Sequence, residues 1–207
     1  MTADGKVAVA VFVTGGGTNL QAIIDAAASG KITSAEISLV LSSRGDAYAL
    51  ERAKKAGIPT AVCERSSFDS QSAFEAAILG EVEAHGIDMI VLAGFMSILS
   101  RDFTSRFPER ILNVHPSLIP RHSGKGYYGL RVHESVLASG DKVTGATVHF
   151  VNEIPDGGRI ISQKEVAVLP GDTPETLQKR VMREAEWILL PEAVETVARE
   201  IAGGNKR

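Results

Sequence analysis

Seven consecutive apolar residues, Val7–Val13, begin the patterned part of the chain. A run of that kind, without alternation, marks a strand covered on both faces. Glycine and polar positions from Thr14 to Asn19 interrupt it, and Leu20, Ile23 and Ile24 then recur at helical spacing. The rhythm repeats along the chain. Residues 37–41 read as a second strand, and 47–56 as a helix closed by Gly57 and Pro59. Residues 60–63 make a short strand, and 70–84 a helix that stops before Gly86. Residues 88–93 and 111–114 come next as strands with a short helix between them. Residues 130–139 read as a helix, 143–151 and 159–168 as paired strands, and 173–202 as one long final helix. Thr173 and Pro174 suit that helix start, one as cap and one in the first turn. Strands alternating with helices predict an α/β fold with a doubly wound, mostly parallel, Rossmann-like sheet, and antiparallel strands toward the C-terminal half. Ligands of such sheets bind beyond the carboxyl ends of the strands. The loop at Gly15–Gly17, the segment Gly94-Phe95-Met96 and the end of the fifth strand all fall on that edge.

The fifth strand empties into Asn113-Val114-His115-Pro116-Ser117-Leu118-Ile119-Pro120. Side chains alternate along a strand, so Asn113 and His115 share one side, and two prolines stiffen the loop beyond them. An amide donor beside an imidazole that titrates near neutrality suits a developing oxyanion and the proton transfers around it. The spacing alone also fits a histidine satisfied in a strand-to-loop corner. A partner acid is available at Asp156, in the turn Pro155-Asp156-Gly157-Gly158 between the paired strands.

The glycine loop brings unpaired main-chain donors to a helix N-terminus, where donors and dipole together favour a phosphate. It is not the dinucleotide fingerprint, because Leu20 stands where the third glycine belongs and no acid ends the second strand. No Gly-Lys-Ser/Thr closes it as a P-loop either. A monophosphate held by main-chain amides, the Thr18 hydroxyl and the Asn19 side chain fits the residues. A plain strand-to-helix turn fits the spacing too.

Composition narrows the classes. With 44% hydrophobic and 23% charged residues, the 207-residue chain suits one substantial core, expected as a single domain over 1–207 with its ordered part at about 6–202. A net charge of −3 without a basic stripe argues against nucleic acid as a partner. The single cysteine, Cys63, excludes an intrachain disulfide or a cysteine metal cluster, and a reducing cytoplasm suits it. No apolar run is long enough to span a bilayer, and no metal is expected. The tail from Gly203 to Arg207 reads as disordered.

Six segments together carry a further pattern: GGGTNLQAII at 15–24, VLAGFMSIL at 91–99, LNVHPSLIP at 112–120, GATVHFV at 145–151, Asp156-Gly157-Gly158, and Gly171-Asp172-Thr173. In these the chain resembles the glycinamide ribonucleotide formyltransferase family, folate-dependent enzymes of purine synthesis, from residue 7 to about 197. The His-Pro-Ser-Leu and Asp-Gly segments are shared with other formyl-folate enzymes. The Gly-Thr-Asn-Leu loop, with no regulatory or RNA-binding domain expected alongside, is what selects the ribonucleotide enzyme.

The resemblance implies a catalytic trio of Asn113, His115 and Asp156. It implies a substrate phosphate loop at Gly16, Gly17, Thr18 and Asn19, and ribose binding by Glu186. It implies a folate pocket at Phe95, Met96, Ser97, Ile98 and Leu99, with His149 and Glu153 beside it. The implied partners are glycinamide ribonucleotide and 10-formyltetrahydrofolate, the latter as co-substrate, with the protein a monomer or homodimer. Charge attraction from Asp156 is expected to favour the protonated form of His115. Two family arginines near the folate tail are replaced here by Ser97 and Gln71; Arg121 or Lys125, in a long loop after Pro120, offers substitute charge. Trp187, where the family often has histidine, reads as packing. His133 is expected on the exposed side of its helix or at the site mouth. Two other functions stay open: a formyltetrahydrofolate hydrolase, and a non-catalytic nucleotide-binding module.

Overall fold

A computed structural model describes residues 1–204. Strands β1 (Val7–Val13), β2 (Ala35–Ser42), β3 (Thr60–Val62), β4 (Met89–Leu92), β5 (Ile111–His115), β6 (Val143–Phe150) and β7 (Ile160–Ala167) form one sheet in the order β3-β2-β1-β4-β5-β6-β7. β1 to β5 are parallel, while β6 runs antiparallel to both β5 and β7. The predicted mixed, doubly wound sheet is therefore present. Every residue of β1 is buried, as a central strand with helices on both faces requires.

The helices are α1 (Thr18–Ala28), α2 (Tyr48–Lys55), α3 (Gln71–Ala84), α4 (Arg101–Thr104), α5 (Leu130–Ala138), α6 (Pro174–Val181) and α7 (Trp187–Gly204). Strand alternation sends Val7, Val9, Val11 and Val13 to one core with Leu20, Ile23, Leu190 and Val194. Ala10 and Phe12 go to the other, with Phe74, Ile78 and Phe103. From β1 the sheet grows outward to β3 on one side and, after the chain returns, from β4 on the other. The loops leaving β1 and β4 diverge there and open the crevice in which such sheets bind ligands. Thr14 bridges them, its hydroxyl accepting the Met96 N–H at 3.0 Å.

The final helix differs from expectation. A π turn, Met182–Glu186, separates α6 from α7. Val181, Ala185 and Leu189 are all buried four residues apart, so the apolar spacing runs through the turn and conceals it. Gly203 and Gly204 belong to α7 rather than to a disordered tail, and 205–207 lie outside the described residues. Thr173 does cap α6: its side chain accepts the Thr176 N–H, and the Thr176 hydroxyl accepts the Thr173 N–H. No helix among the described residues is long and apolar enough to cross a membrane.

Glu195 fastens α7 to the loop before β2. Its carboxylate accepts the N–H groups of Thr33 and Ser34 at 2.8 and 2.9 Å and both their hydroxyls. Burial alone raises this carboxyl, but those donors prevail and hold its pKa at about 2. A depressed carboxylate stabilises the fold above its unfolded pKa of 4.5 and loses that contribution as pH falls toward 2. Glu195→Gln is expected to cost on the order of 2 kcal/mol at neutral pH, and progressively less in acid. Denaturant midpoints across that range check it; a deficit independent of pH would rule out the charge as its source.

Candidate active site

β5 and β6 pair Asn113 with His149 and His115 with Thr147. The alternation of β5 puts Asn113 and His115 on one face, as expected, and the register adds His149 beside them. Asp156 comes from the turn after β6. Asn152 Oδ1 accepts the Ile154 N–H at 2.9 Å to shape that turn, and Asp156 itself has φ 55°, a left-handed conformation that aspartate tolerates better than most residues. Gly158 closes the turn against the main chain, where an added Cβ would collide with the Phe150 carbonyl oxygen.

The three expected catalytic residues and His149 meet. His115 Nδ1 faces Asp156 Oδ2 at 3.4 Å, and His149 Nε2 faces Asp156 Oδ1 at 3.6 Å. Asn113 Nδ2 lies 3.2 Å from His149 Nε2. Carbonyls only accept, which fixes the ring protons. His115 Nε2–H donates to the His122 carbonyl at 2.9 Å, and His149 Nδ1–H to that of Phe150 at 2.8 Å. The other nitrogen of each ring, His115 Nδ1 and His149 Nε2, is the one that faces Asp156. The Gly124 N–H completes the shell, donating to Asp156 Oδ2 at 2.8 Å.

Burial pushes the His115 pKa down and outweighs Asp156 and the His122 carbonyl, which push it up. Asp156 does favour the protonated form of His115, as expected, but desolvation is the larger effect. Burial would raise the Asp156 carboxyl, but His149, His115 and the Gly124 N–H together hold it below its ordinary value. The site therefore sets the Asp156 carboxylate between two imidazoles.

The glycine loop lies across the crevice. Gly17 (φ 70°) precedes α1 as a left-handed N-cap without any side-chain cap. Among the described residues, the main-chain N–H groups of Gly16, Gly17, Thr18 and Asn19 have no hydrogen-bond acceptor. The Asn19 side chain is not turned to the loop: its Nδ2 donates to Glu186 Oε2 at 2.6 Å, both residues being buried. The π turn delivers Glu186 inward at this point.

Burial raises the Glu186 pKa from 4.5 to about 7, with the Asn19 bond acting in the opposite sense. The unfolded chain gives up this proton near 4.5 and the folded protein near 7, so stability falls as pH rises between them. The loss expected across that window is on the order of 3 kcal/mol. Glu186→Gln should flatten that slope in urea titrations; an equal slope in both proteins would show that other groups cause it.

The residues expected to line a folate pocket divide. Phe95 packs its ring 5.3 Å from that of Phe12, and Leu99 is buried in the same core, so both support the loop from beneath. Met96 and Ile98 stand exposed, Ser97 is half-buried, and Glu153 is exposed on the Asp156 turn. Gln71 donates to the Ile98 carbonyl at 3.0 Å and so braces the segment. Arg121 does not supply free charge, because it pairs with Asp141 at 2.6 Å. His133, expected on the exposed side of its helix or at the site mouth, is fully buried, and neither ring nitrogen has a partner; burial lowers its pKa to about 4. A cavity of about 560 Å³ lies between α1 and α7 and is lined by Thr18, Gln21, Arg52 and Trp187, but by none of the catalytic trio.

Several contacts of the candidate site have no sequence signal: the His122 carbonyl, the Gly124 N–H and Arg52, whose Nε–H donates to the Gly16 carbonyl at 2.8 Å. The first two are main-chain groups, and Arg52 sits among Glu51, Lys54 and Lys55 like any solvated helix face.

A family model described as formyl transferase matches residues 7–194, and the chain belongs to that family. The phosphoribosylglycinamide formyltransferase of Haemophilus influenzae is 45% identical over 88% of this chain and 83% of its own length. That of Escherichia coli is 42% identical over 87% and 82%. The crystal structure of glycinamide ribonucleotide transformylase 1 from Symbiobacterium toebii matches with a TM-score of 0.88 at 40% identity, covering 95% of this chain and 89% of that one. Within the family the chain thus groups with the phosphoribosylglycinamide formyltransferases, enzymes of purine biosynthesis.

Proposed function

We propose that this protein transfers the formyl group of 10-formyltetrahydrofolate to the primary amine of glycinamide ribonucleotide. The observation that carries this reading is the Asp156 carboxylate set between His115 and His149 at 3.4 and 3.6 Å, across a crevice from an anion-binding loop. The acceptor phosphate takes the free N–H groups of Gly16 to Asn19 and the Thr18 hydroxyl. Asn19 occupies one Glu186 oxygen and leaves the other for the ribose hydroxyls. The pterin lies along Met96, Ser97 and Ile98, with Glu153 and the main chain of its turn opposite.

The amine nitrogen attacks the formyl carbon, and the carbonyl oxygen becomes an anion. Asn113 Nδ2–H and a protonated His115 donate to it. Nδ1 of His115 takes its proton from solvent as the negative charge develops and returns it when the intermediate collapses. Asp156, through a water, carries the proton lost by the amine to N10, and the carbon–N10 bond breaks. A new carbon–nitrogen bond replaces the old one, and no residue of the protein is formylated.

Formyl transfer followed by absorbance, with and without glycinamide ribonucleotide, tests this reading. Acceptor-dependent transfer that collapses in Asp156→Asn is the expected result. Formate released without acceptor would make the protein a hydrolase, and phosphate-ligand binding without turnover would make it a binding module.

A further inference from the structure

We propose that Arg52 is a positioning residue for the anion-binding loop, setting from behind the direction in which the loop's N–H groups point. The proposal rests on the reading of that loop as the phosphate site. Two loop carbonyls are held by α2. The Ala49 N–H donates to the Gly15 carbonyl at 3.1 Å, and Arg52 Nε–H to the Gly16 carbonyl at 2.8 Å. Both loop peptides are trans, and a trans peptide points its N–H opposite its C=O. Turning these carbonyls toward α2 therefore turns the N–H groups of Gly16 and Gly17 away from it, toward the open side.

The arrangement is tight. Ala49 sits against Gly17, where an added Cβ would lie 2.6 Å from the alanine Cβ. Arg52 also reaches α1, its Nη1 donating to Gln21 Oε1 at 3.0 Å, so one guanidinium ties a loop carbonyl to the helix the loop begins. The guanidinium lies 5.1 Å over the Tyr48 ring, which fixes its height above α2. Its contacts are a carbonyl, an amide and a ring, so its charge is not spent on a carboxylate. Arg52 thereby both orients the donors and adds positive potential beneath the anion. An ammonium cannot reproduce the forked pair of bonds to Gly16 and Gln21.

Arg52→Gln and Arg52→Lys test this, with inorganic phosphate as the probe, measured by calorimetry and as an inhibitor competing with glycinamide ribonucleotide. Loss of one charge-assisted hydrogen bond predicts about tenfold weaker phosphate binding and about tenfold higher acceptor KM in Arg52→Gln. The folate KM and kcat should stay near wild type, and Arg52→Lys should recover only part of the loss. Unchanged phosphate affinity in Arg52→Gln would overturn the proposal. Full recovery in Arg52→Lys would overturn it as well, since charge alone would then suffice. So would a fall in kcat at constant acceptor KM. Thermal melts show whether each variant is folded. If wild-type protein binds phosphate but transfers no formyl group, the functional reading fails while phosphate binding still decides the role of Arg52.

Discussion

His115→Ala is expected to lower kcat by about 10²–10³, with smaller changes in either KM. Three structural facts set that size. The ring is buried, with 4% of its surface exposed, so solvent cannot replace it as a donor. Its Nε2–H is committed to the His122 carbonyl, which orients Nδ1 toward Asp156. Burial holds its pKa below the ordinary value against the pull of Asp156. Asn113→Ala should lose a comparable factor, since in the proposed mechanism it removes the second donor to the same oxygen. The two losses should combine to less than their product, because both donors serve one anion. Single-turnover measurements isolate the chemical step; a His115→Ala variant turning over near the wild-type rate would remove the residue from the mechanism.

Gly158→Ala should be the most damaging small substitution away from the reacting groups. Its methyl would overlap the Phe150 carbonyl oxygen and lie 2.7 Å from the carbonyl carbon, both main-chain atoms that cannot rotate aside. Relief requires β6 and the Asp156 turn to part, at the point where the Phe150 N–H donates to the Arg159 carbonyl. A loss of roughly 3 kcal/mol is expected, equivalent to a melting point lower by about 10 °C, together with lower kcat as Asp156 moves. Gly80→Ala is the control. Gly80 sits inside α3 with nothing within 4 Å of an added Cβ, and alanine there should raise stability by about 0.5–1 kcal/mol. Calorimetric melts of the two variants should shift in opposite directions; a Gly158→Ala protein as stable as wild type would show that the turn yields more easily than its contacts imply.

The strands are legible because burial on both faces leaves uninterrupted apolar runs, and Val7–Val13 forms β1 with the expected bounds. Alternation alone places Asn113 and His115 on one face. It does not pair them with His149, because that depends on the β5–β6 register and not on any local pattern. The π turn is silent for a related reason: an inserted residue leaves no mark when the flanking apolar positions stay in phase. Helical spacing misplaces His133 because it ranks faces by neighbouring polarity, whereas α5 buries this imidazole without a single hydrogen bond. The protonation of His115 depends on the depth of the site, a quantity no linear pattern carries. Main-chain donors and acceptors such as the Gly124 N–H and the His122 carbonyl are identical at every residue, so their role emerges only once the loop is folded.

The π turn also gives the protein an optical reporter. Trp187 is the only tryptophan in the chain, and it follows Glu186 directly. The turn that sends Glu186 inward leaves Trp187 38% exposed beside Thr18 and Arg52, in the lining of the cavity between α1 and α7. Its emission is therefore an unlabelled signal from one region of one protein, free of overlap from any other indole. Quenching or a wavelength shift on mixing would time the arrival of the nucleotide separately from the absorbance change of the folate, resolving the order in which the two substrates bind.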